Sequence, residues 1–297
     1  MRLYLSFHTI YDIEMARYAT IVKAHASNPR IGHVHKPNVK TQLMGVAVRI
    51  NSDGLRDREF FLRKNNKYRI IFLGDSITFG WGVKEEDAFK NILEESINRR
   101  YPVEILNFGV GNYNTEQEVS FFLERGLKYS PDKVVLFYFI NDAEKTPRRS
   151  PFWLLGESRL ISFYWSKAQS LISRILPGRT YKEYYSGLYK AGAEGWLNAK
   201  KAFLELRNTC QENMVQLQVV LLPELHDLSD YPFQKEYNEI SSFLGDNGID
   251  CLDLSGFFKG YMDCRKLWVA PDDPHPNKKA HELIADYSLD FIAMRQG

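Results

Sequence analysis

Residues 70–78 read IIFLGDSIT, an apolar run that ends in Gly-Asp-Ser and continues into a polar turn. The run from Tyr68 to Leu73 has the length and β-branched content of a buried parallel strand. Ser76 would therefore follow the carboxyl end of a strand, which is where open α/β sheets bind their ligands. A serine in that position can act as a nucleophile if a base reaches it.

A candidate base lies near the other end of the chain, in the stretch DDPHPN at residues 272–277. The Asp-x-x-His spacing of Asp272 and His275 lets a short loop hold a carboxylate against the imidazole that would deprotonate Ser76. Asp273 adjoins Asp272 and is the alternative carboxylate, because the assignment rests on spacing alone. Gly-Asp-Ser by itself is common chance sequence, but its combination with a downstream Asp-x-x-His indicates a catalytic serine.

From Lys67 onward the sequence alternates between strand and helix patterns. Five near-continuous apolar strands, each followed by an amphipathic segment, predict a parallel sheet covered by helices on both faces. The predicted strands are Tyr68–Leu73, Val103–Asn107, Lys133–Ile140, Gln218–Leu222 and Asp250–Leu254. The predicted helices are Glu85–Arg100, Thr115–Tyr129, Glu194–Asn213, Tyr231–Leu244 and Lys278–Met294.

Two regions depart from this alternation. Residues 1–66 form an N-terminal extension, in which Tyr11–Ala26 is predicted to be a helix and two later pieces to be extended chain. Those pieces are His33–Pro37 and Gly45–Asn51. Residues 143–192 form an insertion within the main domain, 67–297. The insertion is basic and aromatic, and we expect it either to be a lid that supplies substrate contacts or to pack over the sheet and helices.

Composition excludes several classes of protein. The 297 residues are 44% hydrophobic and 26% charged, which is ordinary for a globular chain. A net charge of +2 disfavours nucleic-acid binding, which needs a strong basic excess on one face. Three widely spaced cysteines predict free buried thiols. His33 and His35 can in principle share a metal ion, but without a nearby carboxylate such a pair is more often structural. We expect no metal and no organic cofactor.

No stretch approaches the roughly 18 consecutive apolar residues of a membrane span. The N-terminus begins with a short apolar run, but charged residues follow at Asp12, Glu14 and Arg17, without a clear cleavage site. The sequence therefore predicts a cytoplasmic protein, or a membrane-associated or extracytoplasmic one if an upstream anchor is missing. It does not specify an oligomeric state.

Two further loops follow strand ends and carry candidate oxyanion donors. The first reads NFGVGNYNT at residues 107–115, and the second begins with Asn141-Asp142. Acyl transfer from an ester needs donors aimed at the oxyanion that forms when the nucleophile adds to the carbonyl. The side-chain amide of Asn141, with backbone N–H groups from the Ser76 turn and the glycine-rich loop, would provide three.

These four blocks, in this order, resemble the SGNH (GDSL-type) hydrolase family over residues from about 68 to 294. The resemblance implies that Ser76 is the nucleophile and donates its own N–H to the oxyanion. It implies that Asn141 is a side-chain oxyanion donor, and that His275 is the base oriented by Asp272. With the strand–helix alternation, it implies a flavodoxin-like three-layer α/β/α sandwich around a central five-stranded parallel sheet.

Two positions depart from the family pattern. The second block usually has an oxyanion glycine five residues after its asparagine, and counting from Asn107 that place holds Asn112. The donor is a backbone N–H, and asparagine tolerates positive φ better than other non-glycine residues. We therefore expect Asn112 to be the donor, with Gly111 as the alternative if the loop is shifted. Phe139 stands where the third block usually has glycine, and would narrow the pocket or turn outward.

The predicted function is hydrolysis of a small-molecule or carbohydrate ester, for example a carbohydrate O-acetyl ester, through an acyl-enzyme. Three alternatives are an O-acyltransferase on the same site, a lipase or thioesterase for longer acyl chains, and a non-catalytic binding module. The intact Ser76, Asn141, Asp272 and His275 argue against the last. Residues 51–56, NSDGLR, also resemble a segment found upstream of this domain in some bacterial members, without a known chemistry.

Overall fold

The computed structural model of the protein describes residues 10–146 and 181–294. The expectations for residues 147–180, most of the predicted insertion, lie outside the described residues. Within the described ranges, no helix combines the length and the apolar character needed to cross a membrane. All three cysteines are free thiols, as predicted, although only Cys210 is fully buried.

The N-terminal part of the described chain is a helix followed by two hairpins. The elements are α1 (Ile10–Ile21), β1 (Lys23–His25), β2 (His33–His35), β3 (Lys40–Leu43) and β4 (Val46–Arg49). The helix ends earlier than predicted, because the residues after it pair as β1 with β2 in an antiparallel hairpin. Strands β3 and β4 form the second hairpin. Apolar side chains of this region pack against Phe79 and Trp81.

A five-stranded parallel sheet forms the centre of the molecule. Its strands are β5 (Tyr68–Gly74), β6 (Val103–Asn107), β7 (Lys133–Tyr138), β8 (Gln216–Leu221) and β9 (Asp250–Asp253). They lie in the order β6-β5-β7-β8-β9, with every neighbouring pair parallel. The predicted sheet is confirmed, with small differences at the strand ends. Because the order reverses at β5, the crevice that binds ligands in such sheets opens at the carboxyl end of this strand.

Helices cover both faces of the sheet. They are α2 (Ser76–Phe79), α3 (Phe89–Asn98), α4 (Thr115–Arg125), α5 (Tyr181–Leu188), α6 (Glu194–Glu212), α7 (Gln234–Asp246) and α8 (Lys278–Ala293). Helices α4, α6 and α7 share an apolar layer with Ile71 and Leu73, whereas α3 and α8 share one with Ile70 and Phe72. Side chains alternate along a strand, so neighbouring residues of β5 enter different layers. The three-layer sandwich is confirmed.

Short 3₁₀ helices and one further hairpin complete the described chain. The 3₁₀ helices are Glu85–Asp87, Leu127–Tyr129, Ile140–Ala143 and Cys264–Leu267. The hairpin pairs β10 (Trp268–Ala270) with β11 (Asp273–Pro276) just before α8. It was not predicted, because such short strands carry no period and two prolines argue against a strand. The hairpin matters because it carries the predicted base.

The described end of the predicted insertion is packed against the sheet. The hydroxyl of Tyr189 lies 2.7 Å from that of Tyr138 and donates to the carbonyl of Ile140 at 2.8 Å. The ring of Tyr185, in α5, contacts that of Phe233 edge-on. These aromatic residues therefore act as packing, and the lid stays a prediction for residues 147–180.

Candidate active site

Ser76 and His275 meet at the carboxyl edge of the sheet. Ser76 begins α2, separated from the end of β5 by Asp75 alone, and its Oγ lies 2.8 Å from Nε2 of His275. Ser76 is 8% exposed and the His275 side chain 17% exposed, so both are shielded from bulk water yet reachable. The structure thus brings together the residues predicted as nucleophile and base.

The carboxylate that contacts His275 is that of Asp273. Its Oδ1 accepts hydrogen bonds from Nδ1 of His275 at 2.5 Å and from the His275 backbone N–H at 3.1 Å. The prediction of Asp272 as this partner is wrong, because Asp272 is exposed in the turn of the hairpin while Asp273 is fully buried in β11. Residues two apart in a strand share a side, so the relevant spacing is Asp-x-His rather than Asp-x-x-His.

The contacts of His275 determine its tautomer. A carboxylate only accepts, so Nδ1 carries the imidazole proton and Nε2 presents a lone pair to Ser76. Burial raises the pKa of Asp273, but hydrogen bonds from His275 and Trp81 outweigh burial and hold that pKa below its usual value. Asp273 is therefore ionised at neutral pH, and it would stabilise an imidazolium at His275 if Nε2 took a proton.

Trp81 holds the second oxygen of Asp273. Its indole Nε1 donates to Oδ2 at 2.8 Å, and the residue is 1% exposed. The backbone N–H of Trp81 donates to the carbonyl of Ser76 at 3.0 Å. Trp81 therefore touches both ends of the Ser76–His275–Asp273 chain. The sequence carries no signal for this role, because a tryptophan in such a position is ordinarily core packing.

The NSDGLR segment supports this arrangement through Arg56. Its guanidinium donates from Nη1 to the carbonyls of Phe79, at 3.1 Å, and Gly80, and from Nη2 to that of Val83 at 2.7 Å. The side chain is almost completely buried. Three carbonyls of the turn that carries Trp81 are thus fixed by one cation. No chemistry was predicted for this segment. In the structure its Arg56 binds the turn that carries Trp81.

The glycine-rich loop lies directly beside α2. The N–H of Val110 donates to the carbonyl of Gly74 at 3.1 Å, which continues the pairing of β6 with β5. A Cβ on Gly109 would lie 2.3 Å from the backbone nitrogen of Phe79, and one on Gly74 would lie 2.1 Å from Oγ1 of Thr78. Neither position has room for a side chain. The two glycines therefore allow the loop and the Ser76 turn to touch.

Asn112 has the backbone conformation that was predicted for it. Its φ is 65°, in the left-handed region, and among the described residues its N–H donates no hydrogen bond. Gly111 does not fit the alternative assignment, because its N–H already donates to the hydroxyl of Tyr18 at 2.9 Å. Asn112 as an oxyanion donor stays a prediction. The structure argues against Gly111, the alternative donor, because its N–H is already engaged.

Asn141 follows the end of β7, the strand that pairs with β5 and so lies next to the turn of Ser76. Gly74 pairs with Phe137 in the sheet, so the chains that follow β5 and β7 emerge at the same edge. The amide oxygen of Asn141 is buried and accepts no hydrogen bond from the described residues. Phe139 packs against both apolar layers instead of turning outward. Its backbone N–H donates to the carboxylate next to Asn141, that of Asp142, at 2.7 Å, which fixes the start of this turn.

Tyr11 covers the imidazole of His275 from the N-terminal helix. The two rings are stacked, with centroids 5.8 Å apart and planes inclined by 29°. Burial, reinforced by the charge of Asp273, raises the pKa of Tyr11 to about 12, so the phenol is neutral. Sequence reasoning missed this contact, because no local pattern relates α1 to a hairpin at the other end of the chain.

His33 and His35 are structural, as expected. His35 receives a hydrogen bond from the Tyr18 hydroxyl at Nε2, at 2.6 Å, and donates from Nδ1 to the carbonyl of Gly54 at 3.1 Å. His33 Nε2 lies 3.0 Å from the carbonyl of Gly111. Burial lowers the pKa of His35 to about 3 and that of His33 to about 4, so both rings are neutral. His33 thus joins the N-terminal hairpin to the glycine-rich loop, and His35 joins it to Tyr18 and Gly54.

Comparison with known families identifies the family to which the chain belongs. The sequence model of the GDSL-like Lipase/Acylhydrolase family matches residues 72–283, more than half of the chain. The chain belongs to this family. It is accordingly a carboxylic ester hydrolase, and the expected family resemblance is confirmed.

Solved structures share the fold at low sequence identity. The crystal structure of TesA is 12% identical, with a TM-score of 0.50, and the match covers 75% of this chain and 97% of TesA. A variant of Axe2, an acetyl-xylooligosaccharide esterase from Geobacillus stearothermophilus, is 13% identical with a TM-score of 0.50, covering 77% and 95% of the two chains. No curated protein matches the chain. At these identities the likeness concerns the fold alone.

The two adjacent aspartates give a direct test of the geometry. Asp273→Asn should lower kcat for ester hydrolysis by about 10⁴-fold, because an amide favours the tautomer in which Nε2 carries the proton and cannot accept one from Ser76. Asp272→Asn is the matched control and should retain nearly full activity. Steady-state kinetics on p-nitrophenyl acetate measures both. A greater loss in Asp272→Asn would reinstate the partner predicted from spacing.

Trp81 should position Asp273 without touching substrate. Trp81→Phe keeps the ring but removes the N–H donor, and we expect kcat to fall about tenfold, equivalent to 1.4 kcal/mol, with KM nearly unchanged. Trp196→Phe is the matched control, because Nε1 of this buried tryptophan donates to Glu239 at 2.7 Å. Both variants should lose about 1–3 kcal/mol in urea unfolding. Equal turnover in the two would contradict a positioning role for Trp81.

Proposed function

We propose that the protein hydrolyses a carboxylic ester through an acyl-enzyme on Ser76. The observation that carries this proposal is the continuous chain of hydrogen bonds from Ser76 Oγ to His275 Nε2 and from His275 Nδ1 to Asp273. A serine hydroxyl is a weak nucleophile until a base within hydrogen-bond distance takes its proton. His275 is such a base, in the tautomer that the reaction needs.

In the first half of the reaction, Ser76 Oγ attacks the ester carbonyl while His275 Nε2 takes the hydroxyl proton. The imidazolium that results is stabilised by the ionised Asp273, whose second oxygen is held by Trp81. The tetrahedral intermediate then collapses, the bond to the alcohol breaks, and His275 returns the proton to the leaving oxygen. The product is an alcohol and an acyl group esterified to Ser76.

In the second half, water replaces the alcohol. His275 removes a proton from a water molecule as its oxygen attacks the acyl carbonyl, and the collapse of the second intermediate returns that proton to Ser76 Oγ. The acid leaves and the enzyme is restored. If an acceptor alcohol took the place of water, the same steps would transfer the acyl group.

The oxyanion of both intermediates would be bound by three donors. They are the backbone N–H groups of Ser76 and Asn112 and the side-chain amide of Asn141. The N–H of Asn112, which donates no hydrogen bond among the described residues, supports the role of Asn112. The role of Asn141 is supported by its position in the 3₁₀ helix just after β7, the strand that pairs with β5. Donors fixed before the reaction stabilise the developing charge without reorganisation, which is commonly the largest contribution to such catalysis.

The proposed substrate is a small-molecule or carbohydrate ester, with a carbohydrate O-acetyl ester as the specific candidate. Axe2 is named for acetyl-xylooligosaccharides, which makes an acetylated sugar a sensible member of a substrate panel. The panel consists of p-nitrophenyl esters from acetyl to long acyl chains and an acetylated xylooligosaccharide. Each is assayed with and without a sugar acceptor.

The decisive experiment compares the wild-type protein with Ser76→Ala on that panel. Wild type should hydrolyse at least one ester and be labelled by an organophosphonate on Ser76 alone, because an activated serine attacks such phosphorus electrophiles. Ser76→Ala should lose both properties. Hydrolysis that persists in Ser76→Ala would place the nucleophile elsewhere. Product analysis by mass spectrometry separates hydrolysis from transfer to the acceptor.

Asn141 should contribute through its N–H donors. Asn141→Ala should lower kcat by about 10²- to 10³-fold, equivalent to about 2.7–4 kcal/mol, as for the loss of one oxyanion donor. Asn141→Asp has nearly the same shape but replaces the donor with a negative charge, so its kcat should be lower still. Both are measured on the best ester of the panel. Higher activity in Asn141→Asp than in Asn141→Ala would show that the residue matters by its shape.

A further inference from the structure

Lys23 reaches the glycine-rich loop from the N-terminal hairpin. It begins β1, and its Nζ donates to Oδ1 of Asn112 at 2.7 Å. The ammonium group also lies over the ring of Tyr18, 4.7 Å from its centroid. Among the described residues, no carboxylate lies within ion-pair distance of it. Lys23 is outside the part of the chain that matches the family, residues 72–283.

The amine of Lys23 differs from that of most lysines in its pKa. Burial lowers the pKa of Lys23 to about 7, so the amine is partly neutral near physiological pH. A neutral amine and an ammonium group both carry N–H donors, so the bond to Asn112 persists in either state. Surface lysines usually keep their amines in water, and this one is directed to a single side-chain oxygen.

Asn112 is the residue that needs such a contact. Its φ of 65° lies in a region that glycine enters freely and that other residues enter only at a cost in conformational energy. Without an anchor, an asparagine backbone there would visit conformations with negative φ. Each such excursion would turn the N–H of Asn112 away from its present direction. A hydrogen bond to the side chain opposes that movement.

We propose that Lys23 is a positioning residue for the oxyanion loop, holding the Asn112 side chain so that the Asn112 N–H stays directed at the reacting carbonyl. The inference rests on the proposed hydrolysis at Ser76. It explains how this chain accommodates asparagine where a glycine is usual: the hairpin outside the family domain supplies the anchor that the backbone of a non-glycine residue requires.

A double-mutant cycle tests whether Lys23 acts through Asn112. Lys23→Met keeps the length of the side chain and removes the donor, and we expect kcat on p-nitrophenyl acetate to fall about 3- to 10-fold, as for the loss of one hydrogen bond. KM should change less than about twofold, because the lost interaction acts in the transition state. Adding Lys23→Met to Asn112→Gly should change kcat by less than about 1.5-fold, since no side chain is left to hold.

The matched control is Lys36→Met. Nζ of Lys36 donates to the carbonyl of Thr20 at 2.8 Å, within the same N-terminal region but away from Asn112. This variant should retain the wild-type kcat. Thermal unfolding is measured for every protein, and Lys23→Gln, whose amide is too short to reach Asn112, replaces Lys23→Met if that variant does not fold.

Hydrogen exchange gives a readout that does not depend on activity. A peptide covering residues 109–114 should exchange faster in Lys23→Met than in wild type, and the Lys36→Met peptide should not. Equal exchange in wild type and Lys23→Met would overturn the proposal, as would the same fold-loss of kcat in the Asn112 and Asn112→Gly backgrounds. If wild type hydrolyses no ester, the proposed function fails, while the exchange experiment still decides whether Lys23 holds the loop.

Discussion

The parallel pairing of β5 with β6 and β7 is the constraint on which the site depends. Phe72 pairs with Asn107 and Gly74 with Phe137, so the chains that leave these three strands emerge side by side at one edge. Ser76, the glycine-rich loop and Asn141 all lie within a few residues of that edge. Apolar layers on both faces hold the register, because a slip of one residue would exchange the side chains that enter each layer. The neighbourhood of Ser76 therefore follows from the packing of the whole sheet.

The remaining groups of the site come from outside the central strands. The β10–β11 hairpin brings His275 and Asp273 to Ser76 as a unit, and Trp81 ties that unit to the turn after α2. Arg56 then fixes the same turn from behind by binding its carbonyls. These are directional hydrogen bonds in a largely buried environment, where a lost partner leaves a costly unsatisfied group. The protein's own hydrogen bonds are therefore enough to orient these groups, without a contribution from substrate.

Local sequence patterns predicted much of the fold and part of the candidate site. The strands and helices of the sandwich were predictable because apolar runs and amphipathic segments are properties of neighbouring residues. Ser76 and His275 were recognisable because each sits in a short distinctive stretch, and positive φ at Asn112 followed from the tolerance of asparagine for that conformation. The choice between two adjacent aspartates was different. It depended on whether the residues form a loop or a strand, and four residues containing two prolines carry too little pattern to decide that.

By itself, then, the sequence determined the sandwich and the order of its strands along the chain, and it pointed to Ser76 and His275, which the structure brings into contact. Only the tertiary structure decided that Asp273 is the partner of His275, that Gly111 is engaged by Tyr18, and that the N-terminal region reaches the site. For Asp273 the physical reason is the pairing of β10 with β11, which puts Asp273 and His275 on one side of a strand. For Gly111 and the N-terminal region the reason is distance along the chain. Periodicity and short motifs record interactions between near neighbours, whereas hydrogen bonds between residues far apart in the sequence exist only once the sheet and both layers have packed.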